Sequence, residues 1–197
     1  FTTSVYGHPV PYKDAVGVMT WNQPFLTDSW ITYSFRPDTA IAARYMRMEM
    51  EDGESKLYMP QLNYLLKRWN EKDSQANIYL YGGAGALHFK NQTGSAGLIG
   101  VEADAEDRKY FILGKLESMY GSIGENFHSA TLRVGIAPYE AEYDEVASWF
   151  MLQAQSHPAL TKSFALTPLA RFFYKSALFE IGVSLDGDWM INLMFHI

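Results

Sequence analysis

Residues 186–197 read DGDWMINLMFHI, and after the turn residues at 186–188 the stretch alternates without a break. Trp189, Ile191, Leu193, Phe195 and Ile197 fall on one side of an extended strand, and Met190, Asn192, Met194 and His196 on the other. A two-residue period of this kind marks a β-strand with two different surroundings. What decides the fold is whether the large apolar side faces the core of a soluble protein or faces lipid.

Working back from this stretch, the same alternation recurs along the chain. Twelve extended segments are expected, approximately over residues 15–21, 29–35, 39–51, 56–69, 76–89, 95–104, 108–120, 127–137, 146–157, 162–173, 176–185 and 188–197. RPD at 36–38, EDGES from Glu51, NEKDSQ from Asn70, KNQTG from Lys90 and DGD at 186–188 join them with residues that turn a chain. No segment long enough for a helix of a few turns carries a 3.6-residue apolar stripe. The strands therefore form one meander of hairpins. Residues 15–197 make up that single unit, preceded by an N-terminal extension, residues 1–14, whose His8, Pro9 and Pro11 either tuck into one end of it or remain outside.

The two faces differ in a way that identifies the surroundings. Ala130, Leu132, Val134 and Ile136 oppose Ser129, Thr131, Arg133 and Gly135. Tyr110, Ile112, Leu116 and Tyr120 oppose Phe111, Leu113, Lys115, Glu117 and Met119, and Ile99, Val101 and Ala103 oppose Gly100, Glu102 and Asp104. One face is almost free of charge. The other sets isolated charges among Gly, Ala and Ser in mid-strand. A soluble sandwich would instead show an outer face rich in Lys, Glu, Thr and Ser. An apolar exterior around an interior of sparse, opposed charges is the pattern of a membrane barrel. The expected fold is thus all-β: a single antiparallel up-and-down transmembrane β-barrel of about twelve strands with short loops. Trp21, Trp30, Tyr64, Trp69, Phe89, Tyr110, Tyr120, Phe164, Phe172 and Trp189, near strand ends, are candidates for its interfacial aromatic girdles.

Composition narrows the function. The chain has 197 residues, 48% of them hydrophobic and 19% charged, below the roughly 25% charged residues of ordinary soluble domains. A net charge of −6 without a Lys/Arg cluster argues against nucleic acid as a partner. The absence of Cys removes disulfides, thiolate metal sites and Cys nucleophiles. No run approaches the roughly 20 apolar residues of a transmembrane helix.

These features resemble bacterial outer-membrane β-barrel proteins. The most specific element is the terminal strand, which in that family alternates apolar residues and ends in an aromatic, a pattern read by the barrel assembly machinery. Trp189, Ile191, Leu193 and Phe195 match it, and Ile197 stands where the family usually has Phe. The resemblance implies a location in the bacterial outer membrane, contact with the lipid bilayer and lipopolysaccharide, both termini on the periplasmic side, and a porin-like transport role.

Three sets of residues are candidates for function. Glu102, Lys115, Glu117, Arg133, Arg171 and Glu180 share the inward face and form a lumen charge network that either lines a narrow, solute-selecting channel or pairs off and fills the barrel. In the second case the barrel is an anchor or sheath that docks a protein partner at its rims. Met46, Met48, Met50, Met190, Met194 and His196 are weaker candidates for a copper-handling barrel, since thioether and imidazole suit Cu(I), although Met more often fills apolar space. Lipid-directed catalysis, as in an esterase or acyltransferase, would need a Ser–His pair within hydrogen-bond reach. His128 and Ser129 point to opposite faces of a regular strand and cannot provide it. The reading is non-enzymatic and implies no cofactor. GGAGA at 82–86 lacks the helix of a phosphate-binding loop and is expected to allow close packing within a strand.

Overall fold

A computed structural model describes residues 8–142 and 144–197, so the first half of the N-terminal extension lies outside the described residues. The strands are β1 (Val16–Gln23), β2 (Leu26–Arg36), β3 (Thr39–Met50), β4 (Gly53–Asn70), β5 (Ser74–Phe89), β6 (Gln92–Asp107), β7 (Tyr110–Gly121), β8 (Phe127–Ile136), β9 (Ala147–Ser156), β10 (Phe164–Tyr174), β11 (Ala177–Val183) and β12 (Trp189–His196). Each is antiparallel to its sequence neighbours, and β1 pairs with β12 from Gly17 opposite His196 to Asn22 opposite Ile191. The sheet thereby closes into an all-antiparallel, up-and-down transmembrane barrel of twelve strands. Strands β4, β5 and β6 span 18, 16 and 16 residues, more than the roughly 9–11 that cross a bilayer. Thr39, the first residue of β3, pairs with Tyr64, so the last turns of the β4 ladder project past β3 at the end carrying both chain termini.

The alternation of the terminal strand is realised as expected: Trp189, Ile191, Leu193 and Phe195 face out, while Met190, Asn192 and Met194 face in. The same holds around the wall, where Ile31, Leu62, Ile99, Leu116, Leu132, Phe150 and Ile181 are outward and exposed. Such a belt far exceeds the apolar patch a soluble monomer tolerates, whereas in lipid it is the solvated surface. Tyr64, Trp69, Tyr110, Tyr120, Phe164, Phe172 and Trp189 are outward-facing, as girdle residues must be. Three candidates are not. Trp30 is buried inside, donating its indole N–H to Asp28 at 2.7 Å; Trp21 packs on the same interior cluster; Phe89 is half-buried, with Gly124 against its ring. On β2 the inward parity belongs to Asp28, Trp30, Thr32 and Ser34, and in a sheet parity overrides proximity to a strand end.

Glycine does structural work at two places. A Cβ on Gly83 or Gly85 would collide with the carbonyl oxygen of Pro60 or of Tyr58, so the GGAGA stretch lets β5 close up against β4 around a proline, as its small residues suggested. Gly100 on β6 leaves the space occupied by the Tyr81 ring, which a Cβ there would overlap. That space allows the Tyr81 hydroxyl to donate to Glu117 at 3.0 Å.

Replacing Gly100 by Ala should therefore lower folding stability by about 1–3 kcal/mol, the usual cost of overpacking. Gly114→Ala, where nothing lies within 4 Å of the added methyl, should change it by less than about 0.5 kcal/mol. Urea midpoints of the refolded barrels, followed by the heat-dependent shift in gel mobility, measure both.

Candidate functional site: the charged barrel interior

Because side chains on a strand alternate, the inward charges come from several strands and find partners on adjacent strands or across the barrel. The structure gathers these charges into two clusters. In the first, Arg44 of β3 grips Asp28 of β2 with two hydrogen bonds, Nε to Oδ1 at 2.8 Å and Nη2 to Oδ2 at 2.7 Å. The same guanidinium reaches Glu117 of β7 at 2.7 Å, and its Nη1 donates to Gln61 at 3.2 Å. Lys115 lies 3.4 Å from Glu117 and 4.0 Å from Asp28. Its ammonium is also 5.2 Å from the Trp30 ring centre, 5.7 Å from Trp21 and 5.8 Å from Tyr81, an aromatic surround that favours a cation.

The second cluster joins β8 to β12. Arg133 Nη1 donates to both carboxylate oxygens of Glu180 at 3.1 Å, and its Nε donates to Gln153. Arg171, directly opposite Glu180 in the β10–β11 ladder, donates to it at 2.7 Å, and Asn192 completes the carboxylate at 2.7 Å. Arg171 also lies over the Phe111 ring, 4.6 Å from its centre. Glu102 is buried on β6 opposite Lys115, and among the described residues its Oε1 has no hydrogen-bond partner. Charges this deep persist only when compensated, and removing one partner of such a pair typically costs several kcal/mol.

All six residues expected on the inward face are thus placed inside, five of them in the two clusters. Asp28 and Arg44 lie outside that expected set, yet the sequence carries their signal: Arg44 sits two residues before Met46 on the same face as Met48 and Met50. A cavity of about 50 Å³ adjoins both clusters, lined among others by Asp28, Lys115, Glu117, Arg133, Gln153 and His157.

Both ends of the interior are covered. At the end carrying the termini, residues 8–11 lie buried inside the wall: Asn63 donates to the Pro9 carbonyl at 2.7 Å, and the Ser34 hydroxyl donates to that of Pro11 at 2.9 Å. His8 stacks on Tyr79 with ring centres 5.5 Å apart and approaches Asp104 at 3.7 Å. At the opposite end, the β9–β10 connection, residues 157–163, crosses the mouth to β3. The Thr161 N–H donates to the Glu49 carbonyl at 3.0 Å, Leu160 bridges to Met50, and Leu160 is 1% exposed. His157, at the root of this connection, is stacked on Phe127 and tilted against Phe25, and burial pushes its imidazole down to about 4, so it is neutral near pH 7.

Every one of the nine methionines is buried within the barrel. Met19, Met46, Met48, Met50, Met59, Met119 and Met194 share one apolar cluster with Leu160 and Phe127, while Met151 and Met190 pack with Trp149 in another. His196 sits half-buried near the chain termini, on the opposite rim from Met50. The expected Met/His set is therefore not one constellation. His128 hydrogen-bonds Ser118 across the β7–β8 ladder at 3.1 Å on the outer wall; among the described residues no hydrogen bond orients its other ring nitrogen, so the pair lacks the third member a hydrolytic site requires. No group of three or more His, Asp or Glu side chains able to hold a metal occurs among the described residues.

No protein-family model matches the chain, and no curated protein matches it. Solved structures do. The KdgM porin in complex with disordered oligogalacturonate superposes with a TM-score of 0.51 at 7% identity, covering 92% of this chain and 98% of that one. The KdgM porin alone gives 0.49 at 8% identity over 92% and 98%. A loop L8 deletion mutant of OmpT, an outer membrane protein of Vibrio cholerae, gives 0.32 at 7% identity over 93% and 98%. At such identities the first of these speaks to architecture only, and the other two carry no weight. Together with the closed sheet and its apolar belt, it establishes the fold as that of a small outer-membrane β-barrel, the twelve-stranded porin fold.

Proposed function

We propose that this barrel resides in the outer membrane of a Gram-negative bacterium and passes small ions or solutes along its charged interior, with both mouths closed at rest. The observation that carries this reading is the cavity between the two charge clusters, where Lys115, Glu117 and Arg133 face a space about the size of a few water molecules. A barrel serving only as a rigid anchor would gain more from an apolar interior, since buried ion pairs often contribute less stability than well-packed hydrophobic residues of similar volume. The covers are compatible with gating: each is held by a few hydrogen bonds from a segment outside the ladder, whereas the wall is continuous. The KdgM porin, of the same architecture, forms a complex with disordered oligogalacturonate. The packed interior of the present chain suits far smaller cargo.

Planar-bilayer recordings of the purified, refolded barrel test the proposal. Discrete conductance steps are expected, and Arg133→Gln/Arg171→Gln should shift the reversal potential in a salt gradient towards cations. The triple variant that adds Glu180→Gln, which removes the carboxylate those arginines serve, should fold normally and shift it less. An unchanged reversal potential would remove the arginines from the conducting path, and a folded barrel that never conducts would overturn the channel reading.

Loosening the N-terminal cover gives an independent check. Ser34→Ala/Asn63→Ala removes the two side-chain donors that hold Pro9 and Pro11, and should raise the open probability several-fold with little change in single-channel selectivity.

A further inference from the structure

Beneath the β9–β10 cover, the chemistry of the interior changes from hard donors to soft ones. Met46, Met48 and Met50 follow one another on the inward face of β3, and all three are buried. Met50 is bridged to Leu160 of the cover, and Met46 lines the central cavity together with His157. Met48 lies between them on the same face. His157 is 1% exposed, and among the described residues neither of its ring nitrogens has a hydrogen-bond partner. A buried imidazole with both nitrogens idle is unusual, because burying a polar group without a partner costs on the order of 1–3 kcal/mol. Its ring is fixed between Phe25 and Phe127, with centres at 6.2 and 5.6 Å, so the nitrogens cannot turn out to solvent without undoing that packing.

We propose that His157, Met46 and Met48 form a binding site for a soft monovalent cation, Cu(I) or its chemical surrogate Ag(I), at the covered end of the barrel. The choice of ion follows from the donors. A neutral imidazole and thioether sulfurs prefer Cu(I), and low-coordinate geometries of two or three such ligands suffice for it. Zn(II) and harder cations would need carboxylates, thiolates or several imidazoles, and the chain has no Cys and, among the described residues, no cluster of three hard donors. Glu117 lines the same cavity, but so do Lys115 and Arg133, and its carboxylate is already shared by Arg44 and Lys115, so the imidazole and the thioethers are the donors left to the ion. Of the Met/His residues singled out by their alternation, the site keeps Met46 and Met48, gains a ligand from the β9–β10 connection, and leaves Met190, Met194 and His196 out. It stands whether or not the barrel conducts.

The test uses the full barrel in detergent micelles with ¹³C-methyl methionine, titrated with silver nitrate and followed by methyl-region NMR. The methyl signals of Met46 and Met48 should move and saturate at one equivalent, while Met151, in the separate cluster, should stay in place. His157→Ala and Met46→Leu should each weaken Ag(I) binding at least roughly tenfold, measured by competition with a chromophoric chelator, and Met151→Leu should not. The wild-type spectrum reads the site even if a variant misfolds. No shift at one equivalent, equal shifts of all methionines, or undiminished binding by a folded His157→Ala barrel would each overturn the proposal.

Discussion

Everything in this molecule depends on the seam between β1 and β12. Inside a bilayer an unpaired N–H or C=O has no water to turn to, so a sheet with two free edges is not viable there. Six residue pairs from Gly17–His196 to Asn22–Ile191 close the seam, and the Val16–Ile197 backbone bonds, each 2.8 Å, extend it to the rim. Once the circle is closed, the wall has an inside and an outside, and each inward side chain is forced into company with residues from strands far away in sequence. Arg44 and Glu117, 73 positions apart, meet only because the sheet curves back on itself.

A twelve-stranded ring encloses more space than an eight-stranded one, and this chain fills it in three ways. Long charged side chains bridge the middle, methionines and aromatics occupy what remains, and chain segments cover the two mouths. Methionine suits the second task because its unbranched, flexible side chain adapts to irregular space. The same property makes it a ready soft donor, so packing and ligation are not competing explanations for the Met46–Met50 face.

Much of this is legible in the residues, and what is not has a physical reason. Strand number, the inward and outward parity of β6 to β12 and the placement of Glu102, Lys115, Glu117, Arg133, Arg171 and Glu180 follow from a period of two, which is a local property. Arg44 is legible by the same rule, two positions from the methionines that draw attention. Trp21 and Trp30 depart from the girdle expectation because parity outweighs nearness to a strand end, and Trp30 turns inward to serve Asp28 and Arg44. The burial of residues 8–11 and the path of residues 157–163 across the mouth are beyond reach of the sequence. Neither segment carries periodicity, and each is positioned by contacts that exist only after the barrel has closed.

The interior ion pairs have one more consequence, for assembly. Over Ala40, Ile41, Ala42 and Ala43 of β3 the wall is apolar on both faces, so hydrophobicity there hardly distinguishes the correct pairing of neighbouring strands from one shifted by a single residue. The arginines do distinguish it. A one-residue slip of β3, β8 or β10 would turn Arg44, Arg133 or Arg171 outward into hydrocarbon, at about 2–4 kcal/mol each near the midplane. The carboxylate left behind would then be stranded inside. The buried charges thus act as a proofreading device: they penalise a one-residue slip of these three strands twice, and they do so before any solute has passed.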